Sequence, residues 1–284
     1  MTVEAPGLGS PDARGGGLRL SAIPVVVKLG GRALEAPGAE RELATAIARL
    51  GAPVVLVHGG GAEVTAWCGR LGLPASFRDG LRVTDPATLE VAVAVLAGLA
   101  NKRLVAALRG AGVDAVGLSA LDGGIVMAAP HADAATLGRV GAVQAVNETL
   151  PRRLLAAGSV PVLASIGDDG EGGLLNLNAD DLAAAVAEAL GARLLVLLSD
   201  APGVVLDGGV RPSLDPAALD AALESPEVRD GMRPKLRAAR AALRGGVARV
   251  EVTSWGGPDT LARALAGRGE GTTIEAGSGV AVAT

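Results

Sequence analysis

Lys28 stands near the end of the apolar run Val25-Val-Val-Lys-Leu29, which is followed at once by Gly30-Gly31. A second strand-like run, Val54-Val-Leu-Val, ends in His58 and then Gly59-Gly60-Gly61. Glycines directly after a strand let the backbone approach a ligand closely. The helical pattern that resumes near Ala62 would put the second turn at a helix N-terminus, where amide N–H groups and the helix dipole favour an anion. The lysine beside Gly30-Gly31 tilts that first turn toward phosphate. Further on, Asp180 and Asp181 fall in the first turn of a helix, a position the dipole favours for carboxylates; for Asp181, capping alone is a sufficient reading. Lys235 follows Pro234 at another helix start, where a cation gains nothing from the dipole and fits better opposite an anion. Arg82, beside Gly80, could clamp a substrate carboxylate or simply be a surface arginine. The combined chemistry is a meeting place of phosphate and a second anionic group.

Other chemistries fit less well. His-Gly-Gly-Gly also occurs as an esterase oxyanion hole, but that requires a nucleophile elbow, and Gly117-Leu-Ser-Ala-Leu121 lacks its final glycine. There is no Walker A sequence, no intact G-x-G-x-x-G and no protein-kinase signature, so a nucleotide site here is of another kind. With one cysteine, Cys68, and two histidines, His58 and His131, a His/Cys zinc site is not expected, nor is an intrachain disulfide. A reduced, cytoplasmic setting is expected. A net charge of −4 offers no basic footprint for nucleic acid, and one Phe, two Trp and no Tyr leave little for base stacking. No apolar run reads as long and charge-free enough to span a bilayer.

The elements that would position these residues follow from periodicity. The chain of 284 residues is 49% hydrophobic, enough for one large core built of Leu, Val and Ala. From residue 24 onward strand and helix signals alternate, which predicts an α/β fold with an open, mostly parallel sheet sandwiched between helices. Helices are expected over Ala39–Leu50, from near Ala62 through Leu71, from Asp85-Pro86 to about Arg109, over Glu148–Ala157, from the Asn176–Asp181 segment to Gly191, from Asp230–Lys235 onward, and over Pro258–Ala266. Strands are expected over Ala115–Leu118, Val160–Ile166, Leu194–Leu198 and Val247–Thr253. Phe77–Thr84 reads as a polar loop, and 122–146 as hairpins. The 85–109 helix is apolar nearly all round its first half, so it is either core or core on one side and a subunit partner on the other. Residues 1–21, rich in Gly and Pro, read as a flexible tail without a signal-peptide pattern. A functional seam is expected near residue 175, with one sheet continuous across it.

Six segments then occur in an order that is specific: Val-Lys-Leu-Gly-Gly (27–31), His-Gly-Gly-Gly (58–61), Gly-Leu-Arg-Val-Thr (80–84), Asn-Leu-Asn-Ala-Asp (176–180), Leu-Ser-Asp-Ala-Pro-Gly (198–203) and Gly-Met-Arg-Pro-Lys (231–235). Together they resemble the amino acid kinase family, in its acetylglutamate kinase branch, over about residues 24–275. The resemblance implies transfer of a phosphoryl group from MgATP to the side-chain carboxylate of N-acetyl-L-glutamate, a step of arginine biosynthesis. It gives Lys28 and Lys235 the charge on the transferring group and makes Asp180 the residue that holds both lysines. Gly59, Gly60 and Gly61, with the Gly30-Gly31 turn, would supply amides, and Arg82 and Asn176 would grip the acceptor. Ser199, Asp200, Gly203 and Met232 would border the nucleotide. No protein metal site is implied, because Mg²⁺ can be held mainly by the phosphates. Residues 22–175 become the acyl-amino-acid-binding and dimerisation lobe, and 176–284 the nucleotide-binding lobe. The 85–109 helix matches a homodimer helix. A tail without helical character implies a dimer that arginine does not inhibit. Alternatives are a carrier-linked α-aminoadipate kinase, an N-succinylglutamate kinase, or a nucleotide-binding sensor without turnover. No nucleic acid or membrane partner is implied.

Overall fold

The computed structural model describes residues 23–30, 38–229 and 231–275. The expectations for residues 1–21, Gly31 and Asp230 lie outside them. Among the described residues an eight-stranded sheet runs in the order β14-β16-β15-β11-β1-β2-β8-β5. Its strands are β1 (Val25–Leu29), β2 (Val54–His58), β5 (Ala115–Ser119), β8 (Val160–Ala164), β11 (Leu194–Ser199), β14 (Ser213–Leu214), β15 (Arg249–Ser254) and β16 (Thr272–Glu275). All pairs are parallel except β15 with β16. The inner strands are buried on both faces, which is why they read as unbroken apolar runs.

Two helical layers cover this sheet. Val25, Val27 and Leu29 pack with α1 (Ala39–Arg49), with Leu104 and Leu108 of α3 (Pro86–Gly110), and with α9 (Thr260–Leu265). Val26 packs on the opposite face, under α6 (Ala179–Leu190) and α8 (Met232–Arg244). Side chains alternate along a strand, so Lys28 shares the Val26 face and points at α6 and α8. The remaining helices are α2 (Gly61–Arg70), the single turn α4 (Ala134–Leu137), α5 (Thr149–Ala156) and α7 (Pro216–Glu224).

A four-stranded sheet, β6-β7-β10-β9, rises beside the large one. It comprises β6 (Val126–Pro130), β7 (Val140–Val146), β9 (Ile166–Asp168) and β10 (Leu174–Leu177). Its β6–β7 hairpin fulfils the expectation for 122–146. The expected single strand Val160–Ile166 is corrected: the chain leaves the large sheet after Ala164 and enters the small one at Ile166. Asn176 is also corrected. It stands on β10, and the helix starts only after Asn178, whose side chain accepts from the Asp180 and Asp181 N–H groups at 2.8 and 3.1 Å. Asn178 is therefore the cap, and neither aspartate is needed for that task. The polar loop 77–84 is in fact a small hairpin of β3 (Phe77–Arg78) and β4 (Leu81–Arg82). A second one, β12 (Val205–Leu206) and β13 (Gly209–Val210), follows β11.

Helix α3 begins as expected, with Asp85 accepting from Thr88 N–H at 2.7 Å and Pro86 at the first position. Helix α7, which periodicity left unassigned, opens with the same Asp-Pro signal at Asp215-Pro216. α3 widens into a π-helical stretch over Ala94–Ala100. By length and composition its 25 residues could cross a membrane, which corrects the expectation that no run would qualify. Its placement accounts for part of that apolarity: it lies against α1, α2, β5 and β8, which leaves 39% of its apolar window buried.

Candidate active site

The large sheet grows from β1 in both directions: β2, β8 and β5 lie on one side, β11 and β15 on the other. Such a switch point leaves a crevice beyond the carboxyl ends of the strands. Lys28 sits there, opposite Val57 of β2 and Leu197 of β11. A cleft of about 210 Å³ opens at this point, lined among others by Lys28, Gly30, Gly59–Gly61, Arg82, Asn176 and Asp180. Most of the residues singled out in the sequence as the phosphoryl and acceptor set thus converge from β1, β2, β4, β10 and α6; Lys235 of α8 is not among the lining residues and meets the site through Asp180.

Asp180 is the centre of charge. Its Oδ1 lies 2.9 Å from Lys28 Nζ in an ion pair. Its Oδ2 accepts from Lys235 Nζ at 3.3 Å. All three side chains are buried, with exposures of 5% for Lys28, 6% for Asp180 and 8% for Lys235. Burial raises the Asp180 carboxyl, but Lys28 and Lys235 together outweigh it and hold the group below its ordinary value. Burial, assisted by the Lys235 charge, pulls the Lys28 ammonium below the usual lysine range against the attraction of Asp180. Two cations on one carboxylate leave the cluster with net positive charge where Lys28 and Asp180 line the cleft, an arrangement suited to a phosphoryl group.

The glycine turns are built for close approach. A Cβ on Gly30 would collide with the Lys28 ammonium and lie 2.9 Å from Leu198 O. Gly60 adopts φ 156°, and a Cβ there would meet Leu96 Cδ2 at 2.8 Å. α2 starts at Gly61 with no side-chain cap, so no capping side chain takes up its first N–H groups, and Gly59–Gly61 line the cleft.

Arg82 is held at three points. Its Nη2 donates to Gly61 O and to Thr65 Oγ1, both at 2.6 Å, and the Phe77 ring lies 4.6 Å from the guanidinium carbon. Nη1 is buried and has no partner among the described residues, leaving a donor for an anion. Burial lowers the guanidinium from its ordinary value, though far from neutrality. Asn176 Nδ2 donates to Thr84 Oγ1 at 3.1 Å, and Thr84 Oγ1 donates to Arg82 O at 2.9 Å, so the two substrate-gripping candidates are tied together.

Ser199, Asp200, Gly203 and Met232 do not line this cleft. Ser199 ends β11, the strand adjoining β1, and its Oγ accepts from Ala201 N–H at 3.3 Å. Exposed Asp200 follows, and Gly203 is buried against Thr272. Thr272 Oγ1 accepts from Val204 N–H at 2.8 Å and donates to Arg211 O at 2.6 Å, which pins this loop to β16. Met232 opens α8, half-buried against the core. Among the cleft residues that were not read from the sequence as site residues are Phe77, Leu96, Ser165 and Asn178. Asn178 carried a signal, an Asx two residues before a pair of acidic helix-start residues. Ser165, where the chain changes sheets, carried none.

The profile of the amino acid kinase family matches residues 24–254 of this sequence. The chain belongs to the amino acid kinase family. Its relatives in that family include the acetylglutamate kinase of Rubrobacter xylanophilus, 46% identical over 88% of this chain and 96% of that protein. The acetylglutamate kinase of Chloroflexus aurantiacus is 44% identical over 82% and 92%. Among solved structures, N-acetylglutamate synthase from Neisseria gonorrhoeae, complexed with coenzyme A and N-acetyl-glutamate, superposes with a TM-score of 0.78 at 29% identity. That match covers 89% of this chain but 59% of the synthase. Carbamate kinase from Giardia lamblia bound to AMP-PNP, at 17% identity and a TM-score of 0.64, shares the fold.

Proposed function

We propose that this protein transfers the γ-phosphoryl group of ATP to the side-chain carboxylate of N-acetyl-L-glutamate, in arginine biosynthesis. The observation that carries the reading is the buried Lys28–Asp180–Lys235 set, of which Lys28 and Asp180 line one cleft with an uncapped helix start and Arg82, whose Nη1 is unpartnered among the described residues. The acceptor carboxylate is ionised at neutral pH, so no general base is required. What remains is alignment of two anions and dispersal of charge. Lys28 and Lys235 neutralise the transferring group, with Asp180 keeping both ammoniums in place. The Gly59–Gly61 turn and Gly30, with Gly31 beyond the described residues, supply amides. Arg82 and Asn176 hold the acylated amino acid. Ser199, Asp200, Gly203 and Met232 border the nucleotide.

Magnesium fits as a companion of the nucleotide. Both Asp180 oxygens already face lysines, and no group of three or more His, Cys, Asp or Glu among the described residues is placed to hold a metal. The ion would be held by the phosphates and water, where it neutralises phosphate charge. Residues 22–175 serve the acceptor and subunit contacts and 176–284 the nucleotide, in a cytoplasmic homodimer paired through α3. In support of the dimer, Leu99 of α3 is 38% exposed on an otherwise apolar stretch.

The direct test is ATP-dependent acyl-phosphate formation trapped with hydroxylamine, with N-acetylglutamate and N-succinylglutamate in parallel. Turnover with acetylglutamate supports the reading, and faster turnover with succinylglutamate reassigns the acyl group. No product with either, from folded protein that binds ATP, overturns it in favour of a carrier-bound substrate or a sensor.

A further inference from the structure

We infer that His58 is a positioning residue: as a neutral imidazole protonated on Nδ1, locked by Asn101 of α3, it sets the direction of the Gly60 amide. The inference rests on the reading of the cleft as a phosphoryl-transfer site, and gives a task to a buried titratable group which that mechanism leaves unused.

Asn101 is fully buried, and its Nδ2 lies 2.9 Å from Val162 O, 3.0 Å from His58 Nε2 and 3.2 Å from Leu118 O. Carbonyl oxygens only accept, so this corner of the amide must be the NH₂ group. Its Oδ1 lies 3.0 Å from Lys102 Nζ, which only donates. The amide is thus oriented from both ends. The NH₂ group, sharing two hydrogens among three neighbours, offers His58 Nε2 a donor and never an acceptor, and Gly59 O, 2.9 Å from Nδ1, only accepts; the imidazole hydrogen therefore sits on Nδ1. Burial pushes the imidazole below its ordinary value and Lys102 adds to this, while the Gly59 bond and Glu63 of α2 oppose them. From β5 and β8 the Leu118 and Val162 carbonyls face the Asn101 amide, and the Gly117 carbonyl faces Lys102.

The consequence lies one bond further on. Gly59 C=O and Gly60 N–H belong to one planar trans peptide and point in opposite directions. Drawing the carbonyl toward His58 turns the Gly60 N–H away from it. Among the described residues that N–H has no protein acceptor, and Gly60 lines the cleft. Leu96 closes the other side of Gly60. α3 therefore fixes the turn at two places, through Leu96 and through Asn101.

The test starts with long-range ¹H–¹⁵N spectra of the full unliganded chain from about pH 5.5 to 8. The sequence holds only two histidines, and His131→Gln assigns them. The expected result is an Nδ1–H tautomer for His58 that does not titrate near its ordinary value. An Nε2–H tautomer, or ordinary titration, overturns the inference. In the acyl-phosphate assay His58→Leu is expected to lower kcat by about 30-fold or more, the scale of a misplaced donor, with KM for ATP within about threefold. His58→Asn, whose amide can donate from the Nδ1 position, is expected to recover about tenfold of that loss. Equal losses in both variants, or a change in KM alone, overturn it. If the unsubstituted protein forms no acyl phosphate, the kinase reading fails, and the spectra still decide the tautomer.

Discussion

Replacing Asp180 by Asn removes the anion between two buried lysines and leaves their volume unchanged. Lys28 and Lys235 approach opposite oxygens of that carboxylate at 2.9 and 3.3 Å. Ammoniums so placed are at most roughly 8 Å apart, where like charges repel by roughly 2 kcal/mol at an effective dielectric near 20. Added to the lost attraction, this matches the roughly 3–5 kcal/mol for breaking a buried ion pair. The protein has one escape, which is to release the Lys28 proton. From an ordinary lysine value that release costs about 5 kcal/mol at pH 7 but only about 2 kcal/mol at pH 9. In the variant the folded lysine lets go of its proton at a pH where the unfolded one still holds it. The unfolded state then binds more protons, so stability must rise with pH. Urea denaturation followed by circular dichroism should show a loss of about 3–5 kcal/mol at pH 7 that shrinks toward about 2 kcal/mol at pH 9. Adding Lys28→Met should return stability without returning turnover. A loss under about 1 kcal/mol at pH 7, or the same loss at both pH values, would refute the reasoning.

Arg82→Lys loses the fork that bonds Gly61 O and Thr65 Oγ1 while leaving Nη1 free; KM for the acylated amino acid should rise by about 30-fold or more, with KM for ATP unchanged in steady-state assays. Gly60→Ala places a Cβ against Leu96, so kcat should fall by about 100-fold while a thermal melt shows a folded protein. Burial depresses Lys28, so the pH profile of kcat/KM should lose activity on the alkaline side below 10.5, the ordinary lysine value, and Lys28→Arg should move that limb upward. In the proposed homodimer, Leu99→Arg on the exposed side of α3 should shift sedimentation from dimer to monomer; an unchanged dimer would place the interface elsewhere, and an unsubstituted protein that sediments as a monomer would remove it.

The sequence by itself determined the layered α/β architecture, because strands buried on both faces must be apolar throughout and helices covering them must repeat every three to four residues. It also determined which residue types could manage phosphate. Lys28, the glycine turns and Lys235 are conspicuous by local rules alone: two turns need close approach, and one lysine sits at the end of a helix that does not favour it. Local rules misplaced Asn176, since Asn-Leu-Asn-Ala-Asp reads as a helix start from either asparagine, and only the pairing of β10 with β7 and β9 decides that the first belongs to a strand. They also ran 160–166 as one strand, because the change of sheet at Ser165 is a long-range event with no local marker. Phe77 over Arg82, Leu96 against Gly60, and Asn101 on His58 join residues far apart in the chain. Whether Asp180 faces one lysine, both or water depends on Lys28 lying on the α6–α8 face of β1. The alternation of that strand permits this, but only the packing of both helices onto one face of the sheet brings the three charges together.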